Sequence, residues 1–311
     1  MAIELIQNAT AEYENHPTGG QTYTLDWTRQ VFGPIGIVGI IFNLLIVITV
    51  SKLEMNKGPS CLAIQLLAFW DSIAIIGDAI FEMTFKSILN FDIFVLDQFG
   101  VLCKVLRSFD WLGNHSANWH VVILCLDRYL SVAKPMFYYG QWKRRHIWIL
   151  SVCSVVLTWI SQLPFLYFFR KVNNTCDLDP GFFPAFVLRY FIKFQAYVMF
   201  FAVPGILIVS MSVAFIYKQT KKRPTEGRKL SAERIRTELA YRRMIIALII
   251  SYIFIASAAS VAIYVGLSQG HIWAYNLGDG LLVTQSSLNL VFYMFSGPVF
   301  RNALWRAIIC K

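Results

Sequence analysis

The sequence predicts an all-α membrane protein: a seven-transmembrane helix bundle with a short amphipathic helix after the last span. Three observations carry this reading. Of 311 residues, 57% are hydrophobic and only 15% charged, whereas a soluble domain carries about 25% charge. Seven apolar stretches, at 31–51, 61–83, 100–133, 146–168, 186–217, 242–268 and 275–296, are each long enough to cross a hydrocarbon core of about 30 Å. With the N-terminus outside, 20 of the 28 Lys and Arg fall on inner segments and 8 on outer ones, which is the positive-inside bias. The net charge of +10 therefore marks a cytosolic face near anionic lipid, with Lys221-Lys222-Arg223 at its centre, rather than a nucleic-acid site. Short links leave no room for a second globular domain. The expected organisation is an extracellular tail at 1–30, a helical domain at 31–298 and a cytoplasmic amphipathic tail at 299–311. No secretory signal precedes the first span, which is expected to direct insertion itself.

The N-terminal tail holds Asn8-Ala9-Thr10, a glycosylation sequon on the outer side. The first span contains Pro34 and Asn43; an Asn in an apolar helix most simply ties it to a neighbour. The second carries Asp71 at mid-depth, where an ionisable group is a functional candidate by default. The plainer alternative is a protonated Asp71 hydrogen-bonded to Asn43 or Asn289. Asp78 and Glu82 follow near the same face, closer to the outside.

The third span is the organising one. Asp110 and Arg128 project from one face about five turns apart, with Asn114, Val121 and Cys125 near the same line and Trp119 opposite. Lipid cannot satisfy such a stripe, so it turns toward protein. Asp78, Glu82 and Asp110 together make an acidic outer vestibule for a basic group, unless Lys104 or Arg107 already neutralises it. Cys61, Cys125 and Cys153 read as small core residues. Asn173-Asn-Thr175 is a second outer sequon. Pro204 kinks the fifth span, whereas the sixth has neither Trp nor Pro, only Tyr252, Phe254 and a run of small residues. Without a kink, its hinge is expected at 256–260, where small side chains permit sliding, or else the helix moves as a straight rod. The tail from Phe300 to Cys310 alternates apolar and basic residues as a surface helix does, and Cys310 is a palmitoylation candidate.

Asp127-Arg128-Tyr129 at the inner end of a third span resembles the DRY motif of rhodopsin-like (class A) G-protein-coupled receptors. Leu67-Ala68-Phe-Trp-Asp71 resembles that family's LAxxD, and Asn289-Leu-Val-Phe-Tyr293 its NPxxY with Leu290 for Pro. Trp159 and Pro204 also sit as in the family, whereas Phe42, Ser212 and the sixth span depart from it. The resemblance covers nearly everything from Val31 to Cys310. It implies a plasma-membrane receptor for an extracellular ligand, coupled to heterotrimeric G proteins. It further implies a Cys103–Cys176 disulfide and sodium at Asp71, although Ala117 stands where a Ser ligand is usual. The switch it implies comprises Asp127, Arg128, Tyr129, Asn289 and Tyr293. Arg128 is expected to be restrained by Asp127 or by Glu238 at the base of span six, and to be freed on activation.

The sequence around Trp119 and Arg301 is similar to invertebrate neuropeptide receptors, so a peptide or small basic ligand is expected at Asp110, Asp78, Glu82 and Asn114. The alternatives are a biogenic-amine or chemosensory receptor of the same fold, or a seven-helix transporter. Span five lacks the outer Ser residues of amine receptors, and no inverted repeat marks a carrier. A retinal protein would need a Lys in span seven, where there is none. No nucleophile–base pair or metal-ligand spacing marks an enzyme, and nothing calls for a cofactor.

Overall fold

The computed structural model describes residues 27–52, 58–80, 101–172, 175–178, 194–221, 246–247, 250–269, 272–296 and 298–309. Helix α1 spans Trp27–Lys52 and α2 Pro59–Ile75, continued by a π-turn at 76–80. Helix α3 runs Val101–Ala133, a short helix at Pro135–Gly140 follows it, and α4 spans Arg144–Phe168. Helix α5 begins as a π-helix, Phe194–Ala202, and becomes regular at Val203–Lys221. In α6 the described part holds a π-turn, Tyr252–Ala256, then Ser257–Gln269. Helix α7 comes in two pieces, Ile272–Ser287 and Asn289–Ser296, and α8, Pro298–Ile309, is the amphipathic tail. The seven-helix, all-α architecture is as the apolar stretches predict. One addition is a small antiparallel hairpin between α4 and α5, with β1 (Phe169–Val172) paired to β2 (Thr175–Leu178).

The apolar pattern explains the packing. Four described helices are both long and apolar enough to cross a membrane: Gln30–Lys52, Pro59–Ile80, Arg144–Pro164 and Val198–Lys218. On α4, Ile149, Val152, Val156, Leu157 and Ile160 face outward, as lipid-facing positions should. Cys153 belongs to this outward face too and is exposed. That corrects its reading as a core residue: an apolar run in a spanning helix does not say which side meets lipid. Helix α3 is the opposite case, buried along most of its length, with Asp110, His115, Asn118, His120, Asp127 and Arg128 all inside. It packs on α2, α4 and α5 at once, so the central position predicted from its polar stripe is where the chain puts it.

Close approach of α2 and α3 depends on two glycines. A Cβ at Gly77 would run into the backbone of Asp110, and one at Gly113 into the backbone of Ala74. Without side chains at these points, the two helices touch and bring Asp78 beside Asp110 and Asn114. Below this contact lies a continuous core that includes Ile46, Leu67, Leu124, Ile147, Ile208, Tyr252 and Tyr293. Phe300 and Leu304 of α8 close it from the inner end.

Candidate functional site

The outer site is a tight cavity of about 50 Å³ between α2, α3, α5, α6 and α7. Its walls are Trp111, His115, Phe200, Ile263, Tyr275 and Leu282, and its polar groups are Asp78, Asp110, Asn114 and Asp279. Asn114 ties two of the carboxylates together. Its amide nitrogen donates to Asp78 Oδ2 at 3.0 Å and to Asp110 Oδ1 at 2.9 Å. Arg107 Nη1 lies 3.9 Å from Asp110 Oδ2, one turn further out. Among the described residues, Asp78, Asp110 and Asp279 line the cavity and Arg107 pairs with Asp110. The Arg107–Asp110 contact is the neutralising pair that the sequence offered as one alternative. Glu82 lies outside the described residues. Asp279 escaped the sequence reading, although the rule that singled out Asp71, an ionisable residue inside an apolar span, applies to it equally.

Mid-membrane, Asn289 Nδ2 donates to Asp71 Oδ2 at 2.5 Å. This is the partner that the plainer reading offered as one of two. Asn43 instead donates to the Ser286 carbonyl at 3.3 Å, tying α1 to α7. A second cavity, about 20 Å³, lies against Asp71, Asn118, Ser251, Gln285 and Asn289. Gln285 Oε1 is buried without a hydrogen-bond partner among the described residues. The oxygens of Asp71, Asn118, Ser251 and Gln285 make a hard donor set that fits a sodium ion, and Ala117, also on the wall, contributes none.

At the inner end Asp127 is fully buried and surrounded by donors. Ser60 Oγ donates to its Oδ2 at 2.5 Å and Trp142 Nε1 to its Oδ1 at 2.9 Å. Tyr138, on the short helix after α3, adds a long 3.5 Å contact. Arg128 Nε lies 3.8 Å from the same carboxylate. Asp127 thus pins α2 and the second inner loop to α3 as well as facing Arg128. Ser60, Tyr138 and Trp142 were not legible as its partners, since a buried carboxylate demands donors without saying which. Tyr129 is half-buried against the core, Tyr293 is buried in it, and Glu238 lies outside the described residues.

Cys103, buried at the start of α3, is disulfide-bonded. Cys176 sits in β2 opposite Lys171, and β1 of that hairpin packs on α3. Asn8, Asn173 and Cys310 lie outside the described residues. In α6 Tyr252 is buried at 2% exposure, whereas Phe254 is 71% exposed. A backbone irregularity lies in this helix, a π-turn at Tyr252–Ala256. In α7 the helix breaks at Leu288 even though Leu290 replaces the proline. The Leu288 N–H is shared between the carbonyls of Thr284 and Gln285.

Residues 42–289 match the family described as 7 transmembrane receptor (rhodopsin family). The chain is 22% identical to human C-C chemokine receptor type 1 over 88% of its own length and 77% of that receptor. It is 23% identical to the allatostatin-A receptor of Bombyx mori over 97% of its length and 85% of the relative. It is 25% identical to rhodopsin of Lethenteron camtschaticum over 67% of its length and 61% of the relative.

Proposed function

The chain belongs to the rhodopsin family of seven-transmembrane receptors, and from that premise we propose that it reports an extracellular neuropeptide to cytosolic heterotrimeric G proteins. Multi-pass plasma-membrane receptors make up this family, so the signalling class and location are settled and the ligand is the open part. The observation that carries the peptide reading is the outer cavity. At about 50 Å³, it is far below the ~300–1,000 Å³ of sites that swallow a whole small ligand. It admits the tip of a ligand whose remainder rests outside, as a peptide's would. The carboxylates of Asp78, Asp110 and Asp279 on its wall favour a basic tip, and its aromatic residues suit a cation. Likeness to a receptor named for allatostatin A supports the same direction.

In this reading Asp78, Asp110, Asn114 and Asp279 receive the basic group, joined by Glu82. The disulfide of Cys103 runs to Cys176 and holds the outer hairpin over the cavity. Sodium, when bound beside Asp71, would supply positive charge next to a buried carboxyl. Asp71, Asn118, Ser251 and Gln285, which line one cavity, would hold it. Arg128, released from Asp127 and Glu238, meets the G protein. The test is competition binding on membranes with two panels, amidated peptides and biogenic amines. A hit among peptides bearing Arg or Lys is expected, weakened at least about tenfold by Asp78→Asn, roughly 1.4 kcal/mol. Binding by amines alone would overturn the peptide reading.

A further inference from the structure

Helix α3 packs on α4 along a polar seam that belongs to neither the outer cavity nor the inner end. His120 fixes which faces meet. Its Nδ1 lies 2.6 Å from the Ser116 carbonyl and its Nε2 2.7 Å from Ser151 Oγ of α4. A carbonyl only accepts, so in the neutral ring Nδ1 carries the hydrogen and Nε2 accepts from the Ser151 hydroxyl. Ser116 stands one turn from His120 on the same face of α3, while Thr158 and Gln162 fall within about 20° of Ser151 on α4. All five are buried, Ser116 completely and Gln162 at 2% exposure.

Two of the five have polar atoms left over. Gln162 Nε2 and Oε1 and Ser116 Oγ have no hydrogen-bond partner among the described residues. A buried amide with both ends unmade is costly, and lipid offers it nothing. Successive spans run antiparallel, so outward from the His120–Ser151 contact the numbers fall on α3 and rise on α4. At 1.5 Å per residue, Ser116 lies about 6 Å outward of that contact and Gln162 about 16 Å. Helical side chains lean toward their own N-terminus, which is the outer end of α3 and the inner end of α4. The Ser116 hydroxyl and the Gln162 amide therefore lean toward each other. A Gln reaching back one turn, about 5 Å, leaves a gap of about 5 Å. That is too wide for a direct hydrogen bond and matches a bridge of two bonds of about 2.8 Å each.

We infer that α3 and α4 are joined by bound water between the Gln162 amide and the Ser116 hydroxyl, with Thr158 on the same face as a further partner. Water suits these atoms because it both donates and accepts: it accepts from Gln162 Nε2 and donates to Gln162 Oε1 and Ser116 Oγ. A water bridge re-forms after a small axial shift that would break a direct side-chain pair. The seam thus has one fixed end, at His120 and Ser151, and one compliant end, at Ser116 and Gln162.

The test is X-ray radiolytic footprinting of the full chain in lipid nanodiscs with no ligand and no G protein, so its failure would leave the receptor reading standing. Hydroxyl radicals form from bound water where bulk radicals do not reach, and they oxidise the side chains beside it. Leu112 and Val155 lie one turn from Ser116 and Thr158 on the seam faces. Leu124 and Ile147, buried on the same two helices, serve as dry controls. After correction for intrinsic reactivity, Leu112 and Val155 should be oxidised at least about threefold faster than the controls, with the ratio unchanged by a bulk radical scavenger. The double variant Ser116→Ala, Gln162→Leu should bring both down to the control rate. Control-level oxidation in wild type, which needs no variant to fold, would overturn the proposal. So would fast oxidation that persists in the double variant or that the scavenger removes.

Discussion

Gly113→Ala tests whether the outer site is built by helix contact. A Cβ at 113 would lie 2.6 Å from the Ala74 amide nitrogen and 2.8 Å from its Cα. Both are backbone atoms that cannot swing aside, so α2 and α3 must separate by about 1 Å to restore ordinary contact. Overpacking of this kind costs about 1–3 kcal/mol. The separation also stretches the Asn114–Asp78 bond from 3.0 Å beyond hydrogen-bonding range, losing about 1–3 kcal/mol. The Asn114–Asp110 bond, within one helix, survives. A combined loss of about 2–6 kcal/mol lowers the melting temperature by roughly 10 °C for a domain of this size. The buried thiols of Cys61 and Cys125 report unfolding with a thiol-reactive dye, in a background carrying Cys153→Ala and Cys310→Ala. A Gly113→Ala protein melting within about 1 °C of its parent would refute the reasoning.

Further expectations follow from the inner and outer ends. Trp142→Phe removes the 2.9 Å bond to Asp127 and costs about 1–3 kcal/mol; it should loosen the second inner loop, read as faster limited proteolysis near 134–143, and equal cleavage would contradict it. Burial first, and the Asp127 charge second, push the Tyr138 phenol up to about 12. The stability from this raised value is complete below pH ~10, where an unfolded tyrosine ionises, and is lost as pH rises toward 12. Tyr138→Phe should therefore flatten that alkaline loss in a thermal-melt series, and an unchanged slope would remove Tyr138 from the account. Peptide mapping without reduction should recover Cys103 joined to Cys176, and alkylated Cys103 in native protein would exclude the pairing.

Much of the architecture was legible because membranes make sequences speak plainly. Length and apolarity define spans, basic asymmetry defines sides, and a polar stripe such as Asp110–Asn114–Arg128 identifies the helix that cannot face lipid. Asp71 was legible as a buried polar centre, and its partner narrowed to Asn43 or Asn289. What stayed hidden depends on three-dimensional choice. Cys153 sits in an apolar run like Cys125, and only packing decides that one meets lipid and the other the core. The irregularity of α6 also stayed hidden, because a π-turn leaves no composition signal comparable to proline. Ser60, Tyr138 and Trp142 converge on Asp127 from three segments, a convergence that no local spacing encodes. Asp279 was visible by the rule already in use and was passed over.

The central claim is that a basic peptide at the outer carboxylates drives nucleotide exchange through Arg128. Its most direct test is agonist-stimulated nucleotide exchange on heterotrimeric G proteins by purified receptor in nanodiscs, using the amidated peptide that wins the binding screen. The account predicts stimulation by wild type that is lost in Arg128→Ala while peptide binding persists. Binding without stimulation in wild type, or stimulation undiminished in Arg128→Ala, would contradict it.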